Sequence, residues 1–171
     1  KKEELKQKLR FDPKAPDLFD ELLDAMRVTE HREIHKRAIK HYLWQIKRKL
    51  WGEEPSYHFM LVLFTNKQAF GKTGFLRQFH RPMLEVFANI TADRIRDQFG
   101  GDVFENYFVA CVDELSQLAR TDVAQLKEFV TRKDAVQRKM YSQVHQETRQ
   151  NTTLCGTTNR PINQVVYDPS G

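Results

Sequence analysis

Phe59-Met60-Leu61-Val62-Leu63-Phe64-Thr65 runs without a break into Asn66-Lys67-Gln68-Ala69-Phe70-Gly71-Lys72-Thr73, and a helical pattern continues from Thr73 to Phe79. The first stretch is a continuous apolar run, the pattern of a strand buried on both faces as in a parallel sheet. The second has the spacing G-x-x-x-x-G-K-[ST], with Asn66 standing where the first glycine belongs. A loop placed between a buried strand and a helix turns its backbone N–H groups inward, making an anion nest at the helix N-terminus. Gly71 lets the backbone approach phosphates, Lys72 reaches the β- and γ-phosphates, and the Thr73 hydroxyl ligates Mg²⁺. Asn66 and Gln68 complete the candidate nucleotide-binding set. Asn66 is expected to take the positive φ of the missing glycine, because its side chain hydrogen-bonds locally. The expected ligands are ATP and Mg²⁺.

Two further apolar runs end in polar residues. Tyr107 to Val112 leads into Asp113-Glu114, and Thr152 to Gly156 leads into Thr157-Thr158-Asn159-Arg160-Pro161. With Phe59–Thr65 they are expected to be adjacent central strands. Helical patterns lie between them at Thr73–Phe79, Thr91–Phe99 and Thr121–Arg132, and Met83–Ile90 fits either an edge strand or a helix. Strand–helix alternation points to an α/β fold with helices on both faces of a parallel sheet. A strand ending in two carboxylates suits metal and water chemistry. Asp113 would hold the Mg²⁺ water shell beside Thr73, and Glu114 would polarise the attacking water. Asn159 either orients that water as a neutral amide or simply forms a turn.

Upstream, Asp17 caps a short helix over Leu18–Met26. A long amphipathic helix starts near Thr29, with Ile34, Ala38, Tyr42 (or Ile39), Leu43, Ile46 and Leu50 at three- and four-residue steps. His31, Lys36, Lys40 and Lys47 form a basic opposite face, Gly52 ends the helix, and Pro55 enforces the break. The chain divides into a helical N-terminal segment, 1–56, and a core, 57–171.

A chain of 171 residues can bury one proper core, and 40% hydrophobic with 30% charged residues excludes a disordered chain. The net charge of +5, from 28 Lys+Arg against 23 Asp+Glu, permits a polyanionic partner without requiring one. Cys111 and Cys155 sit in apolar runs without metal-type spacing and read as reduced core thiols of a cytoplasmic protein. No apolar stretch nears the roughly 18 residues of a membrane span, and no signal-peptide pattern opens the chain. The start at Lys1-Lys2 and the stop at Ser170-Gly171 read as a piece of a longer polypeptide. Between the second and third apolar runs, Arg132 to His145 mixes cations with an aromatic and reads as a basic hairpin. Arg138, Lys139, Tyr141 and His145, helped by Lys47 to Lys49, are candidates for contacting a DNA backbone, with Tyr141 available for stacking. A solvated surface hairpin is the alternative.

Leu61–Thr73, Val112–Leu118, Asp122–Phe129 and Cys155–Arg160 together resemble the virulence-associated protein E family. Its ATPase domain is related to the superfamily-three helicases and the wider AAA+ group. The likeness covers roughly residues 57 to 171, and Asp168-Pro169-Ser170-Gly171 looks like the lead-in to the family's Arg-rich strand. It implies a P-loop NTPase sheet of AAA+ type in a helicase or replication motor of a mobile element or prophage. It also implies a ring of the full-length protein, DNA as partner, and an arginine finger just past Gly171. The implied roles are phosphates and Mg²⁺ for Lys72 and Thr73, metal partner for Asp113, catalytic carboxylate for Glu114 and sensor for Asn159. Two other functions stay open: a nucleotide-gated DNA-binding or assembly module with little hydrolysis, and a P-loop small-molecule kinase. The long helical stretch ahead of the loop and the Thr157-Thr158-Asn159 turn weigh against the kinase.

Overall fold

Parallel pairing joins β1 (Leu61–Phe64), β6 (Thr153–Thr158), β3 (Val109–Val112) and β2 (Phe87–Ile90) in that spatial order. The computed structural model describes residues 2–91, 103, 106–118, 120–131, 134–138 and 145–166. The three expected strands are adjacent, and β3 and β6 are central and buried along their whole length. The expectation that all three are central needs correction. Among the described residues β1 is an edge strand, because β6 inserts between β1 and β3. Its half-buried Leu61, Val62 and Leu63 and exposed Phe64 fit that place. Met83–Ile90 divides between the two options left open: a 3-10 helix covers Arg81–Val86, and Phe87–Ile90 is the other edge strand. Of the expected helix Thr91–Phe99, all but Thr91 lies outside the described residues.

Side-chain alternation along parallel strands assigns the two faces. Val109, Cys111 and Cys155 pack with Leu5 of α1 (Lys2–Lys8), Tyr42, Ile46 and Leu50 of α3 (Arg32–Trp51), and Leu76 of α4 (Lys72–Phe79). Ala110, Val112 and Leu154 face the other way, onto Leu115 of the 3-10 turn Leu115–Gln117 and Leu126 of α5 (Arg120–Thr131). Helices therefore flank both faces, and burying each large aliphatic side chain contributes about 1.5–3 kcal/mol. Both cysteines are free and buried, and hydrogen bonding with Cys111, then burial, pushes the Cys155 thiol well up.

The long helix ends where expected, at Gly52 with φ 80°, where the N–H groups of Gly52 and Glu53 close on Lys49 and Arg48 carbonyls. Its faces differ from the periodicity reading. Ile34 is 65% exposed, whereas Gln45 is buried and brackets Phe59, donating to its carbonyl at 2.9 Å and accepting from its N–H at 2.6 Å. That clasp supplies hydrogen bonds just ahead of β1. The basic face is partly neutralised within the chain. Lys36 pairs with Asp20 at 2.7 Å and Lys40 with Asp17 at 2.9 Å, tying α3 to α2 (Phe19–Ala25). Asp17 also accepts the Phe19 N–H at 3.1 Å.

Tyr42 and His80 are buried together. The Leu76 carbonyl can only accept, so His80 Nδ1 carries the proton, at 2.7 Å, and Tyr42 donates its hydroxyl to Nε2 at 2.9 Å. Burial lowers the His80 pKa. Lys49, expected on a DNA-facing surface, is instead buried and donates to the Thr152 carbonyl at 2.5 Å. The long aliphatic stem suits the core contact, and the ammonium finds a carbonyl at the entry to β6.

β4 (Asp134–Arg138) and β5 (His145–Arg149) form an antiparallel hairpin with Arg138 opposite His145, reaching past the expected stretch of Arg132 to His145. Lys139 and Tyr141, expected within the hairpin, lie outside the described residues. Among the described residues no helix is long and apolar enough to cross a membrane.

Burial, with Arg149 nearby, pushes the Lys49 ammonium down to about 8 from its ordinary 10.5. Between those values the folded chain holds fewer protons than the unfolded one, so this contribution raises stability as pH climbs and is lost below about 8. Wild-type stability measured against Lys49→Met should therefore gain up to about 1.4 kcal/mol per pH unit across that window. The shared thiol titration cancels in the difference. Denaturant unfolding of both proteins at several pH values checks this, and a pH-independent difference would contradict it.

Candidate functional site

The carboxyl ends of β1, β3 and β6 open onto one cleft of about 390 Å³, lined by Ala69 to Gly74, Asp113, Glu114, Gln117, Thr157 and Asn159. The loop from Asn66 connects β1 to α4, whose first turn carries Lys72 and Thr73. Gly71 precedes that turn at φ 76°, a conformation that strains any residue with a Cβ. The positive φ expected at Asn66 occurs three residues later, at Ala69 (φ 55°). The turn is therefore made at the far end of the loop, and Ala69 carries its steric cost of about 1–2 kcal/mol.

Asp113 continues the alternation of Val109 and Cys111, so its side chain emerges on the face that α4 covers. Its Oδ1 accepts hydrogen bonds from Thr73 Oγ1 at 2.9 Å and Thr157 Oγ1 at 2.7 Å. By simple alternation Glu114 belongs to the opposite face. It takes a left-handed conformation instead (φ 56°, ψ 65°), and its N–H donates to Thr157 Oγ1 at 3.0 Å. Its carboxylate then accepts from Asn159 Nδ2 at 2.6 Å through Oε2 and from Ser116 Oγ through Oε1. Asn159 joins the two halves of the cluster, because its Oδ1 accepts a hydrogen bond from Lys72 Nζ. That bond occupies one of the three ammonium donors and leaves two for a ligand.

The structure thus brings Gly71, Lys72, Thr73, Asp113, Glu114 and Asn159 together. Gln68 is exposed and does not line this cleft. Asn66 lines a second cleft of about 620 Å³, with Ala25, Met26, Arg27, Phe64, Phe70 and Phe75. The two clefts share Phe70 and Lys72 as a common wall. Of the polyanion candidates, Arg138 and His145 pair across the hairpin, and Lys139 and Tyr141 fall outside the described residues.

Sequence reasoning passed over Thr157, Ser116 and the left-handed Glu114. Thr157 was within reach: two residues past Cys155 on the same strand, it shares that residue's face. The Glu114 conformation has no signature in its neighbours.

A hard, oxygen-preferring ion fits the donors present. Thr73 and Asp113 supply a hydroxyl and a carboxylate, and among the described residues no group of three or more His, Cys, Asp or Glu gathers that could hold a metal by itself. Mg²⁺ binds in this manner, through one or two carboxylates plus waters and phosphate oxygens.

Gly156 sits beneath the cluster. A Cβ there would lie 2.9 Å from Leu115 Cδ1 and Met60 Cε and 3.1 Å from the Val112 carbonyl oxygen. Gly156→Ala should therefore lose about 1–3 kcal/mol of stability through overpacking. Denaturant unfolding of the variant checks it, and wild-type stability would show that the side chains yield freely.

No curated protein matches the sequence. Among solved structures the chain is similar to the apo structure of the NrS-1 C-terminal region (305–718), with a TM-score of 0.61 at 17% identity. That match covers 84% of this chain and 34% of the other. Two A-form apo structures of the same region give TM-scores of 0.55 and 0.58 at 16% and 15% identity. They cover 85% and 84% of this chain and 33% of each of theirs. At such identities the likeness is one of fold, and the chain spans about a third of those structures' length. The model of the virulence-associated protein E-like domain matches residues 7–171, so the chain belongs to that family.

Proposed function

We propose that this chain is the ATP-binding and hydrolysing P-loop core, of AAA+ type, of a helicase- or replication-type DNA motor from a mobile element or phage. The observation that carries the reading is the convergence of Lys72, Thr73, Asp113, Glu114 and Asn159, from α4 and the ends of β3 and β6, onto one cleft. In open parallel sheets, the crevice outside the carboxyl ends of the strands is where ligands bind. The triphosphate would lie in the 390 Å³ cleft against Lys72 and the N-terminal turn of α4. The nucleoside would occupy the adjoining 620 Å³ cleft, whose Phe64, Phe70 and Phe75 offer apolar contact.

Each residue then has a distinct task. Lys72 binds phosphate oxygens, and the Thr73 hydroxyl and Asp113 carboxylate hold Mg²⁺, which when bound neutralises charge on the β- and γ-oxygens. Glu114 accepts a proton from the attacking water or orients it. Asn159, bonded to both Lys72 and Glu114, positions the carboxylate relative to the phosphate. One observation favours a second reading, a nucleotide-gated module with little hydrolysis: both Glu114 oxygens already accept hydrogen bonds, from Ser116 and Asn159. The β4–β5 hairpin supports DNA as the partner, with Arg138 and His145 facing each other in register and Lys139 and Tyr141 between them in sequence. A ring of the full-length protein belongs to the same proposal and rests on the family.

Lys72→Ala removes a charge-assisted hydrogen bond of about 1.5–3 kcal/mol and should weaken Mg-ATP affinity at least roughly tenfold. Glu114→Gln should retain affinity while turnover falls about 10²–10⁴-fold. Calorimetric binding and steady-state phosphate release from the full-length protein test both. Binding without turnover in the wild type would favour the gated module, and turnover unaffected by Glu114→Gln would remove that residue from the chemistry.

Arg138→Ala with Lys139→Ala should flatten the salt dependence of single-stranded DNA affinity by one to two contacts, each about 0.7 in the log–log slope. ATP affinity should not change. An unchanged slope returns the hairpin to a solvated surface.

A further inference from the structure

Trp44 and Trp51, the only two tryptophans of the chain, are 40% and 37% exposed and lie seven residues apart on the solvent side of α3. Two helical turns separate them by about 10.5 Å along the axis. The helix had the option of burying them. Its inner face is filled by Ile39, Tyr42, Ile46 and Leu50, and the indoles stand on the side away from that core.

Cations accompany each ring. The Arg48 guanidinium lies 5.2 Å from the Trp44 ring centroid, and Lys47 Nζ lies 5.4 Å from that of Trp51 and 5.9 Å from that of Phe11. Phe11 is itself 75% exposed. Arg37, one helical repeat before Trp44, is exposed on the same stripe. Lys36 is paired with Asp20 of α2 and Lys40 with Asp17 just ahead of it, while Arg48 pairs with Glu53 at 2.9 Å and donates to the Glu54 carbonyl at 3.1 Å. Among the described residues Arg37 and Lys47 have no carboxylate partner. Aromatic planes interleaved with cations are the chemistry of a single-stranded polynucleotide site, where bases stack and phosphates meet positive charge.

We propose that this face of α3 is a stacking platform for single-stranded nucleic acid, separate from the nucleotide cleft. Bases stack on Trp44 and Trp51, and Arg37 and Lys47 contact the phosphates between them. A polyanion is the occupant because the stripe is cationic, and an unpaired strand is required because only unstacked bases offer their faces. The platform also runs towards the hairpin: Arg149, at the base of β5, donates to the carbonyl of Gly52, the residue that ends α3. The inference does not require ATP turnover.

Since both tryptophans belong to the platform, intrinsic fluorescence reads it directly. Oligo(dT) titrated into the wild-type 171-residue chain should quench the tryptophan emission, with an affinity that falls as salt rises. Trp44→Ala with Trp51→Ala, both at exposed positions, should lower oligo(dT) affinity roughly tenfold or more by anisotropy of a labelled strand, at unchanged circular dichroism. Lys47→Ala should reduce the salt slope by about one contact. ATP affinity should be the same in all of these. Emission unmoved by oligo(dT), or affinity unchanged in the double variant, overturns the platform. So does emission that shifts with protein concentration alone while oligo(dT) has no effect, which would identify the face as a contact between copies.

Discussion

One carboxylate oxygen, Oδ1 of Asp113, accepts hydroxyl hydrogen bonds from Thr73 and Thr157 at once. Through it the first turn of α4, the end of β3 and the end of β6 are held at a single point. The parallel pairing of β3 with β6 sets the strand ends side by side, and burial of both strands along their whole length keeps that register from slipping. Everything else in the cleft is arranged around this junction. With Thr157 engaged on Asp113, its oxygen can also accept the Glu114 N–H, and that bond accompanies the left-handed backbone at Glu114. A non-glycine residue held there costs about 1–2 kcal/mol, offset by the hydrogen bonds from Ser116 and Asn159 to the same side chain.

The helical N-terminal part is not an appendage to the sheet. Leu5, Tyr42, Ile46 and Leu50 share one core with Val109, Cys111 and Cys155, so α1 and α3 cover the sheet face from which Asp113 and Thr157 emerge. α3 also meets the far ends of the strands. Gln45 clasps Phe59 ahead of β1, and Lys49 holds the Thr152 carbonyl at the entry to β6. β6 consequently spans the molecule, with the Lys49 clamp at one end and Thr157, followed by Asn159, at the other.

Much of this was legible beforehand, for reasons that are physical and local. The apolar runs Phe59–Thr65 and Tyr107–Val112 announce strands, observed at Leu61–Phe64 and Val109–Val112, and polar residues at their ends announce where such a sheet meets solvent. The Gly71-Lys72-Thr73 step between strand and helix identifies one wall of the cleft, and Asp113-Glu114 and Asn159 identify the others. Family membership extends the same reading over residues 7–171. The errors are equally instructive. Asn66 seemed the natural residue for a positive φ, yet the loop makes its left-handed turn at Ala69 and Gly71, next to the helix it must enter.

What the sequence alone determined is the three apolar strands, the long helix and the chemistry at the strand ends, because hydrophobic periodicity and turn residues report on each segment's own burial and backbone. It could not determine that β6 lies between β1 and β3 and leaves β1 at an edge of the described sheet, since strand order depends on pairing between segments some ninety residues apart. Nor could it show that Lys49 is buried while Lys47 is not, or that Lys36 and Lys40 are paired to Asp20 and Asp17. On a helix, residues two apart such as Lys47 and Lys49 differ by about 200° of rotation, and which one meets the core is decided by the helix's roll against the sheet. Tertiary packing set that roll, and with it placed two tryptophans and their cations on the outside.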